Sequence, residues 1–184
     1  MVRPVFSLSC QYLTKFIPLL ISYTLLGWIL SYSNTAPYNI TEPCGLTFLL
    51  TNTAYFATGI YGIFQGYNLQ SVLLELAGLL SVNYHYKQLI YGRDDIEVKK
   101  ALALDYFGAV TAFLLIGYDV ITQVLSGYPP VIAITYSAVG TICLLLSWVF
   151  ARGLPYLVWH GLWHIFSGAA CYELYSHLSS INIT

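Results

Sequence analysis

VIAITYSAVGTICLLLSWVFA, residues 131–151, is the stretch that decides how the chain folds. It holds no acidic, basic or histidine side chain. It is too long for a core strand and matches the ~20 apolar residues that a helix needs to cross the hydrocarbon of a bilayer. Working outward, segments of similar length and character occur at 13–32, 46–66, 70–91, 101–124 and 154–177. A lipid-spanning segment must satisfy its own backbone hydrogen bonds, so these segments read as helices. The expected fold class is all-α: a polytopic transmembrane bundle of about six helices, or seven, forming a single membrane domain over residues 1–184.

Composition agrees. The chain is 58% hydrophobic and 8% charged, with a mean hydropathy of +0.68. A soluble domain carries roughly a quarter charged residues, and so few charges could not cover a globule in water. The aromatic share is 16%, with 17 Tyr, which suits the belts where rings sit at lipid headgroups. A net charge of −1 points to no nucleic acid and no electrostatically held partner. Cys10, Cys44, Cys143 and Cys171 show no CxxC spacing, which speaks against a thiolate zinc site or a disulfide framework.

The connectors are short and polar. Residues 33–44 carry Asn34, Pro37, Asn39 and Pro43 and read as a loop. Gly66-Tyr67-Asn68 is a tight turn. Residues 87–100, with Arg93, Asp94, Asp95, Glu97 and Lys99, read as the one strongly charged loop. Gly127-Tyr128-Pro129-Pro130 and Gly153-Leu154-Pro155 separate the last three segments, with Pro155 acceptable in a first helical turn. The first segment reads as an uncleaved helix or as a signal peptide, Lys15 and its span favouring the former. Sidedness stays open. The Lys and Arg count puts residues 87–100 in the cytosol and the N-terminus outside. The Asn39-Ile40-Thr41 glycosylation sequon then falls on the cytosolic side, against that assignment. Gly59 and Gly62 lie on a helix that could pack closely, but oligomeric state is not legible.

Ionisable side chains inside a membrane are costly and need a partner, a cavity or a function. Those within the segments are Glu75, His85, Asp105, Asp119, His160, His164, Glu173 and His177. His160 and His164 are four apart, so both project from one helix face, the spacing at which two imidazoles grip one metal ion. Ser81 and His85 repeat that spacing on the third segment. Following the crossings, Ser81 and His85 lie late in the third helix, Asp105 early in the fourth, and His160 and His164 early in the sixth. All five therefore share one layer of the membrane.

Each residue also has a blander reading. A lone intramembrane His is more often a packed, hydrogen-bonded residue, and it is the shared depth that favours a site. Asp119 reads as a polar contact or interfacial cap, and Glu173 with His177 as a local hydrogen bond. Tyr84, Tyr86, Tyr106, Trp159 and Trp163 are expected belt or packing residues.

Three neutral imidazoles with an open fourth position form the arrangement in which zinc activates water at neutral pH. His85, His160 and His164 are thus the candidate ligands for Zn2+. Asp105 is the candidate general base, or the partner that orients a ligand imidazole, and Ser81 the candidate donor to a developing oxyanion.

The stretches Ser81-Val82-Asn83-Tyr84-His85, Leu104-Asp105-Tyr106 and His160-Gly161-Leu162-Trp163-His164 resemble the three signatures of the ceramidase-type membrane hydrolase superfamily. That group includes alkaline ceramidases, progestin and adiponectin receptors and myomaker-like proteins. Residues 159–168 look most like the alkaline ceramidase version, and the surroundings of Asp105 closer to the receptor and myomaker-like branches. The resemblance implies zinc on His85, His160 and His164, with Ser81 and Asp105 beside it, and hydrolysis of a lipid amide or ester bond. It covers about a tenth of the chain. The chain departs from the pattern in showing six segments rather than seven, with SxxxH on the third rather than the second. One helix, not three, separates Asp105 from the HxxxH helix, and the acidic calcium-binding N-terminus is missing.

Three functions follow as expectations. The first is an intramembrane zinc-dependent hydrolase acting on a membrane lipid substrate. The second is a non-catalytic receptor or fusion-type membrane protein with a structural zinc site. The third is a b-type haem protein with facing histidines, against which Asp105 stands as a charge beside the porphyrin.

Overall fold

The computed structural model describes residues 43–150 and 153–181; the segment expected at 13–32 lies outside them. The described residues are helical with no strand. In chain order the helices are α1 (Pro43–Leu50), α2 (Thr53–Phe64), α3 (Asn68–Tyr91), α4 (Ile96–Leu125), α5 (Val131–Val149) and α6 (Gly153–Ile181). Two of them, α4 and α5, are long and apolar enough to cross a membrane.

Local chemistry sets the ends. Gly66, with φ +83°, supplies the left-handed residue that lets the chain reverse between α2 and α3. Gly92, at φ +77° and ψ 164°, ends α3 in a conformation open almost only to glycine. Asp95 then caps α4, its carboxylate accepting from the Glu97 amide at 2.7 Å. This cap makes the connector shorter than expected: only residues 92–95 lie between the helices. Lys87, Lys99 and Lys100 are helical, and Glu97 pairs with Lys87 at 3.8 Å and with Lys100 at 2.7 Å. Pro155 sits in the first turn of α6, where its missing N–H costs nothing.

Among the described residues the helices form an open arc. α3 packs on α2 and α4, α6 packs on α5 and α2, and α1 touches α6 and α3. α4 and α5 stand at the two ends of the arc and make little contact with each other. Between them and the inner helices lies a cavity of about 390 Å³.

Small residues and hydroxyls hold α2 against α6. A Cβ on Gly168 would come within 2.8 Å of the Ala54 Cβ and 3.1 Å of its backbone. Beside it, Thr58 donates to the Gly168 carbonyl at 3.1 Å. Ser167 spends its proton on the Trp163 carbonyl at 2.6 Å, so the Tyr55 hydroxyl donates to it at 2.8 Å. Gly59 and Gly62 serve the same purpose within the chain, Gly59 against Glu75 and Gly62 against Ser71 and Tyr175.

Polar side chains share the interior with apolar ones, and many large apolar side chains stand outside. Asn52, Ser71, His85, Ser147 and His164 are buried. Phe64, Leu79, Phe107, Phe113, Leu125 and Ile142 are exposed.

One expectation tests the α2–α6 seam. Gly168→Ala should cost about 1–3 kcal/mol through overpacking. Gly117→Ala, at a position with nothing within 4 Å, should be neutral or gain up to ~1 kcal/mol from helix propensity. Thermal unfolding of the two purified variants in detergent gives the comparison.

Candidate metal centre

α3 and α6 bring His85, His160 and His164 face to face. One ring nitrogen from each lies within 4.8 Å of the other two. Ring centroids are 4.9 Å apart for His85–His160, 5.1 Å for His85–His164 and 4.9 Å for His160–His164. His85 and His164 are buried and His160 is half-buried. Phe48 of α1 closes the cluster, its ring 4.6 Å from His85 and 5.6 Å from His164 between centroids.

The nitrogens that face away from the cluster are each held by another side chain. Thr51 Oγ1 lies 2.8 Å from His164 Nδ1 and donates its only proton to the Phe48 carbonyl at 2.6 Å. It can therefore only accept from the imidazole, which fixes His164 as the Nδ1–H tautomer. Ser147 repeats the device on the opposite side. Its Oγ donates to the Leu144 carbonyl at 2.7 Å and lies 3.1 Å from His160 Nδ1. Both rings thus turn Nε2 lone pairs inward. His85 Nδ1 is occupied by the Gln88 amide at 2.9 Å, and its buried Nε2 has no hydrogen-bond partner.

This donor set fits a metal ion. Lone pairs converging in a buried space repel one another and are costly without a cation or donor between them. Second partners that fix the tautomer are what metal-ligating histidines require, and Thr51 and Ser147 supply them for His164 and His160. Tetrahedral zinc at ~2.0–2.1 Å from each nitrogen would bring the three atoms to about 3.4 Å from one another. From 4.8 Å, that contraction is within the reach of side-chain rotation.

Ser81 and Asp105 meet beside the histidines. The Ser81 hydroxyl lies 3.5 Å from His164 Nε2 and hydrogen-bonds the Asp105 carboxylate. Both line the cavity, together with His160 and His164. Beyond this polar end the walls are apolar, with Ala109, Phe113, Ile116 and Ile121 from α4 and Ile134 and Leu144 from α5.

The other polar residues lie elsewhere. Asp119 accepts from Gln70 at 3.2 Å. His177 bonds the Tyr128 carbonyl at 2.9 Å, across a loop rather than along its own helix to Glu173. Glu75 fits against Gly59. Tyr84 is buried against His85, with ring centroids 4.6 Å apart, while Tyr86 is exposed.

Four contributors went unnoticed in the sequence: Phe48, Thr51, Gln88 and Ser147. Gln88 had a signal, since it stands three residues after His85 and so shares its face. Thr51-Asn52 had one too, as a polar break in an apolar run. Ser147 had none, being one serine among several in apolar helices.

The chain matches no known protein-family model, no curated protein and no solved structure. The site is therefore read from its own chemistry.

Removing either orienting hydroxyl should loosen the centre. Thr51→Val and Ser147→Ala should each lower zinc affinity about 10–100-fold, measured by chelator competition on the purified protein. Ser137→Ala, which changes another serine on the cavity wall, should leave it unchanged.

Proposed function

We propose that this chain is a multi-pass integral membrane hydrolase, zinc-dependent and ceramidase-like, that cleaves an amide or ester bond in a membrane lipid. The observation that carries the reading is the convergence of one ring nitrogen from each of three histidines beside a largely apolar cavity, with Asp105 and Ser81 alongside. The many exposed large apolar side chains and the two long apolar helices support a lipid surround. Helical stretches at 43–64, 68–91 and 153–181 join α4 and α5 as candidate spans.

Zinc held by His85, His160 and His164 would supply Lewis acidity at the scissile carbonyl. The apolar wall from Ala109 to Ile121 would take an acyl chain and hold the bond to be broken at the polar end. Asp105 is positioned to take a proton from the attacking water and return it to the leaving amine or alcohol. Ser81 would donate to the carbonyl oxygen as negative charge develops there. Water adds to the acyl carbon, the C–N or C–O bond breaks, and the products are a carboxylic acid and the protonated leaving group.

The ring separations speak against haem. Imidazoles 4.9–5.1 Å apart between centroids are in mutual contact, with no gap for a porphyrin plane between them.

The test is elemental analysis joined to a lipid hydrolysis assay. Wild-type protein should carry about one zinc per chain, and His160→Ala/His164→Ala should carry none. Asp105→Asn should keep the zinc and lose about 10²–10⁴-fold in turnover of ceramide or phospholipid. A well-folded preparation without zinc would sink the reading. Zinc retained with function intact in Asp105→Asn would favour a structural metal instead.

A further inference from the structure

The amide of Gln88 lies between two groups that make opposite demands on it. On one side is His85 Nδ1 at 2.9 Å; on the other is the Arg93 guanidinium, with Nε at 2.5 Å and Nη2 at 3.0 Å. A guanidinium has only donors, so the amide oxygen belongs on the Arg93 side and the NH2 on the His85 side. His85 Nδ1 is then an acceptor, and the neutral ring carries its proton on Nε2. That tautomer cannot bind a metal through Nε2.

Metal binding needs the reverse. For His85 Nε2 to offer a lone pair, Nδ1 must carry the proton and Gln88 must present its oxygen to it. The amide then turns its NH2 toward the guanidinium, and two donor groups oppose each other in a buried space. Gln88 is itself buried, at 5% exposure, so water offers little relief. Arg93 must withdraw. It stands in the 92–95 connector directly after Gly92, its guanidinium 4.4 Å above the Tyr156 ring, hydrogen-bonded to Tyr156 and part of the cavity wall, so withdrawal exchanges these contacts as well.

We infer that Gln88 is a positioning residue that links metal occupancy at His85 to the seating of Arg93 on the cavity wall. With Arg93 seated, the amide holds His85 in the non-binding tautomer. With metal bound, the amide turns and Arg93 leaves its seat. Linkage makes the effect reciprocal: whatever unseats Arg93 tightens the metal, and the metal loosens Arg93. The inference rests on the metal-centre reading. His160 and His164, whose tautomers are fixed by Ser147 and Thr51, have no such switch.

Two measurements test it. A carboxylate accepts on both sides at once, so Gln88→Glu should satisfy His85 Nδ1–H and Arg93 together and bind zinc about tenfold tighter in chelator competition. Arg93→Met should tighten binding similarly, and the double variant should gain less than the sum. In the wild-type protein, phenylglyoxal should modify Arg93 several-fold faster with zinc than without, read by peptide mass analysis. Unchanged affinity in Gln88→Glu, together with equal Arg93 modification in the two forms, would overturn the linkage while leaving the metal centre standing. A wild-type protein that binds no zinc would overturn both.

Discussion

Lone pairs cannot be left pointing at one another inside a low-dielectric interior, and this constraint organises the centre of the molecule. Thr51 and Ser147 each commit their only proton to a backbone carbonyl. In doing so they force His164 and His160 to turn their basic nitrogens toward the same point. The arrangement draws on three helices and a turn: α3 brings His85, α6 brings His160 and His164, α5 brings Ser147, and the α1–α2 break brings Thr51. Gly161 makes room for Thr51 against α6, since a Cβ there would lie 3.1 Å from Thr51 Cγ2.

In the lipid surround we propose, the packing around this centre would follow the rule of helices assembled without water. Little is gained by burying leucine when the surroundings are as apolar as leucine, so the contacts that hold the helices are close approaches and shared protons. The α2–α6 seam shows both, through Gly168 on Ala54 and through the hydroxyls of Tyr55, Thr58 and Ser167. His85, His164, Ser81, Ser147 and Gln88 lie inside, while Phe64, Phe107 and Phe113 are exposed.

The sequence made the ionisable residues legible because they are rare in it and expensive where they stand. His85, His160 and His164 were expected together from spacing and depth, and their rings do face one another. Ser81 and Asp105, expected in the same layer, line the same cavity. The partners that orient the rings were not legible. A serine or threonine in an apolar helix bonds its own preceding carbonyl in most cases, as Thr111 and Thr135 do. Nothing local marks the two whose remaining lone pair meets an imidazole from another helix. The loop at residues 87–100 was read too long for a related reason. Charge density suggests a connector, whereas Asp95 capping and Glu97 pairing turn most of that stretch into helix. The His177 contact spans two elements, which spacing along one helix could not anticipate.

The open side of the arc carries a consequence for how turnover would be measured. Among the described residues α4 and α5 flank the cavity without sealing against each other, and most side chains lining it from these two helices are apolar. On the proposed reading, a lipid reaching the polar end by that edge would arrive from within the bilayer leaflet. Its supply is then set by two-dimensional diffusion and by its mole fraction among neighbouring lipids. Adding inert lipid at fixed bulk concentration would slow such an enzyme, whereas diluting the vesicles in buffer would not.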